Sequence, residues 1–351
     1  MPGQGGEVVV GLDNGGTAIN ATVLDSAGRF LVDRLVETPS RVAEGPAVAI
    51  EALSDAFTGV LGVTGVSRAA VRAVGLDTPG PASADGVIST RGAVNFANPA
   101  WRGFDVRGAL AARLGLPVIY NNDANAASLY AHHVHFGPDA GHRSSVSLIV
   151  GTGLGGGVIE SGRVVRGAAG MAGEFGHIQI PMDGLLAPGQ PVPVCNCGLP
   201  GDGESIASLT GIQKNLLPYW LGRFPGHQLH GAGSVREAAY LVRGQAGAGD
   251  PMALEIFRQQ AIALGRLFTI AANVTDPHAY FLGGGVVEAT PDFRDWFLAT
   301  VIEHTDLRDE QRPLVTFALV PDLDMAGARG AAIASGDALG WAPPGFPGSS
   351  P

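Results

Sequence analysis

Cysteine is nearly absent: the 351-residue chain has two, Cys195 and Cys197, one residue apart. Two cysteines cannot build a disulfide framework, and a Cys-x-Cys pair is poorly spaced for a bridge between its own members. Charge is sparse too. Charged residues make up 15% of the chain, the net charge is −10, and no long basic run occurs. An acidic surface repels phosphate backbones, so no nucleic-acid partner is expected. No stretch of 18 apolar residues appears, and the run SSVSLIVGTGLGGGVIESG, uncharged over much of its length, is interrupted by glycine. No membrane span is expected on that ground. The start, MPGQGGEVVVGLD, lacks the basic residues and apolar core of a secretory signal. The expectation is a soluble, cytoplasmic protein.

What is present is globular. Hydrophobic residues reach 46%, and 53 glycines imply many tight turns or close backbone approaches. The length favours two domains, or one domain split into two lobes. Residues 7–13, 19–25 and 29–37 read as strands joined by short turns, and 46–60 as a helix. A buried strand at 71–76, a helix at 105–114 and a strand at 117–120 follow. The pattern restarts with strands at 145–150, in GGGVIES and in RVVRG, then helices near 234–246 and 251–274, a strand at 279–287 and a helix near 325–339. Strands alternating with helices indicate an α/β architecture. Residues 341–351, rich in proline, glycine and serine, read as a disordered tail.

Two glycine turns follow strands. GLDNGGT ends a strand with Asp13, turns through Gly15 and Gly16, and offers the Thr17 hydroxyl. GTGLGGG repeats the idea with Thr152 and Gly153, and LGGGV, with Gly284 and Gly285, is a third candidate on the nucleoside side. Glycine lets backbone N–H groups approach phosphate oxygens, and a carboxylate at a strand end can hold Mg²⁺ through water. Each turn alone is also what an ordinary strand connection looks like. Neither of the first two matches the Walker A or the dinucleotide pattern.

NNDAN places Asp123 where a strand passes into a helix. That position suits a helix N-cap, and equally a general base that accepts the proton of an attacking hydroxyl. GMAGEFGHIQI carries Glu174 and His177, with a loop expected from the intervening glycines. A lone histidine is more often structural, but this one precedes Cys195 and Cys197, and such a ligand set suits zinc. HHVHFG (132–137) reads as an ordinary polar helix face rather than a metal site.

Together these motifs resemble the ROK family of sugar kinases and repressors. GLDNGGT, NNDANAA, GTGLGGG, GEFGH, CNCGLPGDGES and FLGGGVV occur in the family's order from residue 11 to about residue 286. The resemblance implies an actin-like ATPase fold (ribonuclease H-like), two-lobed, with a central nucleotide and sugar cleft. Its smaller lobe would hold 1–122 plus 325–340, and its larger lobe 123–324. Asp123 would be the base. Asn98, Asn122, Glu174, His177 and Glu204 would hold sugar hydroxyls together with Asp123. Asp13, Gly15, Gly16 and Thr17 would manage ATP and Mg²⁺, with Thr152, Gly153, Gly284 and Gly285 completing the nucleotide contacts. A homodimer is implied as well.

The chain departs from the family pattern at three places. Asp202 stands where a third zinc cysteine is usual, so His177, Cys195, Cys197 and Asp202 are the expected zinc ligands. Ala18 replaces a frequent lysine, and Asn20 is a polar residue on a strand expected to be largely buried. The function implied is ATP-dependent phosphorylation of a hexose at its primary hydroxyl, as in a glucokinase. A kinase of another sugar, an amino sugar or a C7 cyclitol is the alternative. A non-catalytic sugar sensor or regulator is disfavoured, because only six residues precede EVVVGLD, which leaves no room for a DNA-reading helix.

Overall fold

A computed structural model describes residues 6–80, 82–90 and 96–341. Strand β1 (Val8–Asn14) turns into β2 (Ala18–Asp25), and a short β3 (Glu37–Pro39) follows. Helix α1 (Pro46–Thr64) leads to β4 (Val71–Thr78), α2 (Val106–Leu114), β5 (Val118–Asn122) and α3 (Asp123–Phe136). Next come β6 (Ser144–Val150), β7 (Leu154–Glu160) and the two-residue β8 (Arg163–Val164). A helical run holds α4 (Glu204–Ala207), α5 (Leu209–Gly211), a π turn over Ile212–Leu216, and α6 (Leu217–Arg223). Helices α7 (Val235–Gly247) and α8 (Pro251–Thr275) precede β9 (Ala279–Gly284), α9 (Pro291–Glu303), β10 (Thr316–Leu319) and α10 (Leu323–Ala338).

The chain forms two compact units. The first comprises residues up to 144, 157–173 and those from 321 onward; the second comprises 145–156 and 174–320. In the first, one sheet has the order β3-β2-β1-β4-β5, with β1, β4 and β5 parallel. Its two faces are covered differently. Val10, Leu12, Val74 and Leu76 pack with Leu53, Phe57 and Val60 of α1 and Leu110 of α2 in one apolar core. On the opposite face, α10 lies almost on the strands. A Cβ at Gly11 or Gly75 would stand 1.9 Å from the carbonyl oxygen of Ala328 or Ala331, so only glycine fits there. By length and composition α1 is apolar enough to cross a membrane, but half of its apolar window is buried in this core.

Two sequence expectations fail in this unit. The third strand, expected over 29–37, is reduced to a bridge between Leu24 and Phe30 and the three residues of β3. The Asp25 carboxylate draws the chain into a turn by accepting from the N–H groups of Ala27 and Arg29. Between Leu31 and Leu35 only Val32 is buried. His132 and His133 are not on a polar face: they are 0% and 1% exposed. The whole run Ala124–His133 is buried, and each imidazole finds a carbonyl, Ala140 at 2.9 Å and Gly162 at 3.2 Å. The expected tail lies outside the described residues apart from Trp341.

In the second unit β6, β9 and β10 are parallel, in a sheet whose order is β10-β9-β6-β7-β8. The chain passes between units within β7. The core of this unit is α8, whose inner face is continuous from Met252 to Ala272. Phe257 packs against Phe293 of α9, Phe268 against Tyr280 of β9, and Tyr280 stacks on Phe317 of β10 at 4.8 Å.

Candidate active site and metal centre

The functional residues expected from sequence divide between the units. Asp13, Gly15, Gly16, Thr17, Asn98, Asn122 and Asp123 belong to the first; Thr152, Gly153, Glu174, His177, Cys195, Cys197, Asp202, Glu204, Gly284 and Gly285 belong to the second.

In the first unit the parallel register aligns Asp13 of β1 with Asp77 of β4, and Asp77 with Asn121 of β5; Asn20 of β2 stands on the other side of Asp13. Side chains in register share a face, and Gly11 and Gly75, two residues earlier, show that it is the face under α10. A Cβ at Gly327 of α10 would lie 2.7 Å from Asp13 Oδ2. Asp77 is fully buried. Burial raises its carboxyl well above the ordinary value, and the neighbouring Asp13 and, more weakly, Asp123 push it further. Burial raises Asp13 too, while the nearby polar groups of Asp77 and Asn20 pull it back. Asp77 is the more strongly raised of the two carboxyls. The sequence reading missed Asp77. The signal was there: GLD stands one residue before the end of β4, as it does in β1.

The loop after β1 is closed by Gly15 N–H donating to the Ala18 carbonyl at 2.9 Å, and Gly16 and Thr17 are exposed. Asn20, partly buried, donates to the Asp324 carbonyl at 3.1 Å in the first turn of α10. At the β5–α3 junction the cap is Asn122, whose Oδ1 accepts from Ala124 N–H at 3.0 Å. Asp123 is the first helical residue, with Oδ1 2.7 Å from the same N–H. Asn98 caps a 3₁₀ turn by accepting from Ala100 N–H at 3.0 Å.

In the second unit, the Thr152 turn between β6 and β7 is held from behind: Leu209 and Thr210 N–H donate to the Gly151 and Thr152 carbonyls at 3.0 and 3.1 Å. Gly284, at φ +94°, ends β9 beside Val150, and a Cβ there would stand 2.0 Å from the Val150 oxygen. The register thus brings the LGGGV turn next to Gly151. Glu204 joins this loop to the cysteines. Its Oε2 accepts from Leu154 N–H at 3.0 Å, and Cys195 Sγ donates to its Oε1 at 3.3 Å. Glu174 precedes a 3₁₀ turn, Phe175–His177, rather than an open loop. Desolvation raises the Glu174 carboxyl, His177 lowers it, and Glu204 raises it again.

His177, Cys195, Cys197 and Asp202 converge, with one ligand atom of each within 4.8 Å of the others. His177 Nδ1 lies 3.4 Å from Asp202 Oδ2, 3.9 Å from Cys195 Sγ and 3.6 Å from Cys197 Sγ. Cys197 Sγ is 3.8 Å from Asp202 Oδ2. Ligand atoms about 2.0–2.3 Å from a tetrahedral zinc ion lie about 3.3–3.8 Å from one another. The four residues therefore fit zinc in both donor type and spacing. Asp202 has two tasks: Oδ1 accepts from Ser205 N–H at 2.9 Å at the start of α4, and this leaves Oδ2 facing the cluster. Without metal, Asp202 raises His177 to about 9, and burial keeps the Cys195 thiol protonated. Burial opposes ionisation of Asp202, but His177 and Ser205 hold it below its ordinary value.

Comparison with known proteins places this geometry. The model of the ROK family matches residues 9–337. Glucokinase of Halalkalibacterium halodurans is 33% identical over 286 residues, 80% of this chain and 81% of that protein. N-acetyl-D-glucosamine kinase of Erwinia tasmaniensis is also 33% identical, over 79% of this chain and 83% of that protein. Among solved structures, the ROK hexokinase of Thermus thermophilus matches with TM-score 0.71 and 33% identity over 93% of this chain and 97% of its own. The Streptomyces griseus ROK glucokinase, in complex with glucose and AMPPNP, matches with TM-score 0.67 and 29% identity over 93% and 98%. The fold is the actin-like ATPase fold of those sugar kinases, and the chain belongs to the ROK family.

Proposed function

We propose that this ROK sugar kinase transfers the γ-phosphoryl group of ATP to the primary hydroxyl of a hexose, with glucose the first candidate. The observation that carries the assignment of the base is the β5–α3 junction. Asn122 supplies the helix cap, so the carboxylate of Asp123 is not required for that task. In the reaction the substrate oxygen loses its proton to Asp123 and forms a bond to the γ-phosphorus as the bond to the β-phosphate bridging oxygen breaks. ADP leaves, and Asp123 returns the proton to solvent. Asn98, Asn122, Glu174, His177 and Glu204 would orient the sugar hydroxyls, and orientation supplies much of the rate.

Asp13, at the end of β1 and set beside the Gly15–Gly16–Thr17 turn, fits a water-mediated Mg²⁺ site. When bound, Mg²⁺ would neutralise phosphate charge. Thr152, Gly153, Gly284 and Gly285 would contact the nucleotide. Zinc on His177, Cys195, Cys197 and Asp202 would be structural: it would pin the loop that presents His177 and Glu204. Closure would bring together the lobe of 1–122 plus 325–340 and the lobe of 123–324. The homodimer rests on the family resemblance alone, and light scattering tests it.

N-acetylhexosamines are the second substrate reading, favoured by the equal identity to an N-acetyl-D-glucosamine kinase. The test is ADP release with Mg-ATP against glucose, mannose, fructose, allose, N-acetylglucosamine, N-acetylmannosamine and C7 cyclitols, with Asp123→Asn in parallel. Glucose-selective turnover lost in the variant supports the reading. Turnover on another member moves the substrate, and binding of a sugar without any turnover overturns the kinase.

A further inference from the structure

The turn between β6 and β7 is bonded in a one-sided way. Gly151 and Thr152 are exposed and Gly153 is partly exposed, yet all three carbonyls are engaged. Leu209 N–H donates to the Gly151 carbonyl at 3.0 Å, and Gly151 N–H donates to the Gly153 carbonyl at 2.9 Å. The Thr152 carbonyl accepts twice, from Thr210 N–H at 3.1 Å and from the Thr210 hydroxyl at 2.7 Å. The donors are treated differently. Leu154 N–H is taken by Glu204 Oε2, but the N–H groups of Thr152 and Gly153 have no hydrogen bond among the described residues.

Peptide geometry connects the two patterns. A trans peptide is planar, so its C=O and N–H point in opposite directions. The Thr152 carbonyl and the Gly153 N–H belong to one peptide, and the Gly151 carbonyl and the Thr152 N–H to the one before it. Holding both carbonyls toward the start of α5 turns both N–H groups the other way. Two adjacent N–H groups without partners are donors ready for an anionic oxygen, and the carbonyls that would repel it face elsewhere. The Thr210 hydroxyl is not needed by its own helix. Ser208 caps α5 by accepting from Gly211 N–H at 2.9 Å, whereas Thr210 reaches across 58 residues of sequence to the turn.

We propose that Thr210 is a positioning residue for the nucleotide: by fixing the Thr152 carbonyl, it aims the Gly153 N–H at a phosphate oxygen of ATP. The inference rests on the kinase reading, in which Thr152 and Gly153 contact the nucleotide. Thr210 acts through the 152–153 peptide rather than by touching the phosphate.

The test is calorimetric binding of Mg-AMPPNP to the full chain in the wild type, Thr210→Val and Thr210→Ser. Valine keeps the shape of threonine and loses the hydroxyl; serine keeps the hydroxyl. Urea melts establish that each variant is folded, and Thr210→Ala is measured where Thr210→Val is not. Loss of the hydroxyl is expected to weaken AMPPNP binding about three- to tenfold, the range of one net hydrogen bond. Thr210→Ser should bind within about twofold of the wild type. Where turnover exists, KM for ATP should rise by the same factor in Thr210→Val, with KM for the sugar changed less than about twofold. Unchanged AMPPNP affinity in the folded variant lacking the hydroxyl overturns the inference alone, as does equal weakening in Thr210→Ser or an equal rise in both KM values. A folded wild type that binds no AMPPNP overturns the kinase reading and the inference together.

Discussion

Asp13 and Asp77 stand opposite one another in the parallel register of β1 and β4, on the sheet face covered by α10. Burial raises both carboxyls, and raises the more deeply buried Asp77 well above its ordinary value. A neutral carboxyl can be replaced by an amide. Asp77→Asn is expected to keep turnover within about fivefold of the wild type, whereas Asp13→Asn removes the charge proposed to face Mg²⁺ and is expected to lower turnover by about 10²-fold or more. Equal losses in the two variants, measured with Mg²⁺ titrations, would show that Asp77 is ionised in the native protein.

Asp123→Asn keeps the size of the side chain and removes its basicity. General-base catalysis typically contributes about 10²–10⁴-fold, and a loss of that order in kcat is expected, with sugar KM changed little. A rate within threefold of wild type would take the base role away from Asp123.

The metal cluster makes a prediction that needs no activity. Purified protein should hold one zinc per chain by elemental analysis, and chelation should make the thiols of Cys195 and Cys197 titratable. Asp202→Cys should hold the metal more tightly than the wild type, and Asp202→Ala more weakly, because thiolate is the softer ligand. In the chelated protein the His177–Asp202 pair takes over. With the His177 pKa raised to about 9 in the fold, its stabilisation is complete below about 6.5 and is lost as pH rises through 9. Urea midpoints of the chelated protein should fall between those pH values, and Asp202→Asn should flatten the decline.

Asp337 has the opposite sign from a usual native aspartate. Its folded pKa, about 6, lies above the ordinary 3.8, so stability is fully present below that ordinary value and is lost as pH rises through 6. Asp337→Asn should therefore stabilise the protein at pH 7–8 by up to about 3 kcal/mol, and by nothing near pH 3.5. Denaturant melts at the two pH values check this; equal effects at both would mean that Asp337 is not desolvated.

Much of this protein was legible along the chain because the information is local. The strand-and-turn signals of GLDNGGT and GTGLGGG, the long periodic stretch of α8 and the ordered ROK motifs each lie within a short window, where side-chain period and glycine placement act directly. Residues 29–37 misled because the segment meets β2 only near its two ends, at Phe30–Leu31 and Val36–Glu37, while Asp33, Arg34 and Leu35 between them are exposed. HHVHFG misled because three histidines look polar until the fold encloses two of them and supplies carbonyls to both. Pairings between distant segments could not be read from either segment alone. Only the parallel register of β1 and β4 puts Asp77 against Asp13. Only the loops returning from residues 177, 195 and 202 bring four ligand atoms together. Only the packing around α3 and α10 encloses His133 and desolvates Asp337. Residue types and their local spacing were determined by sequence; the direction of each pKa shift and the convergence of the four ligand atoms were decided by which surfaces the tertiary structure removed from water.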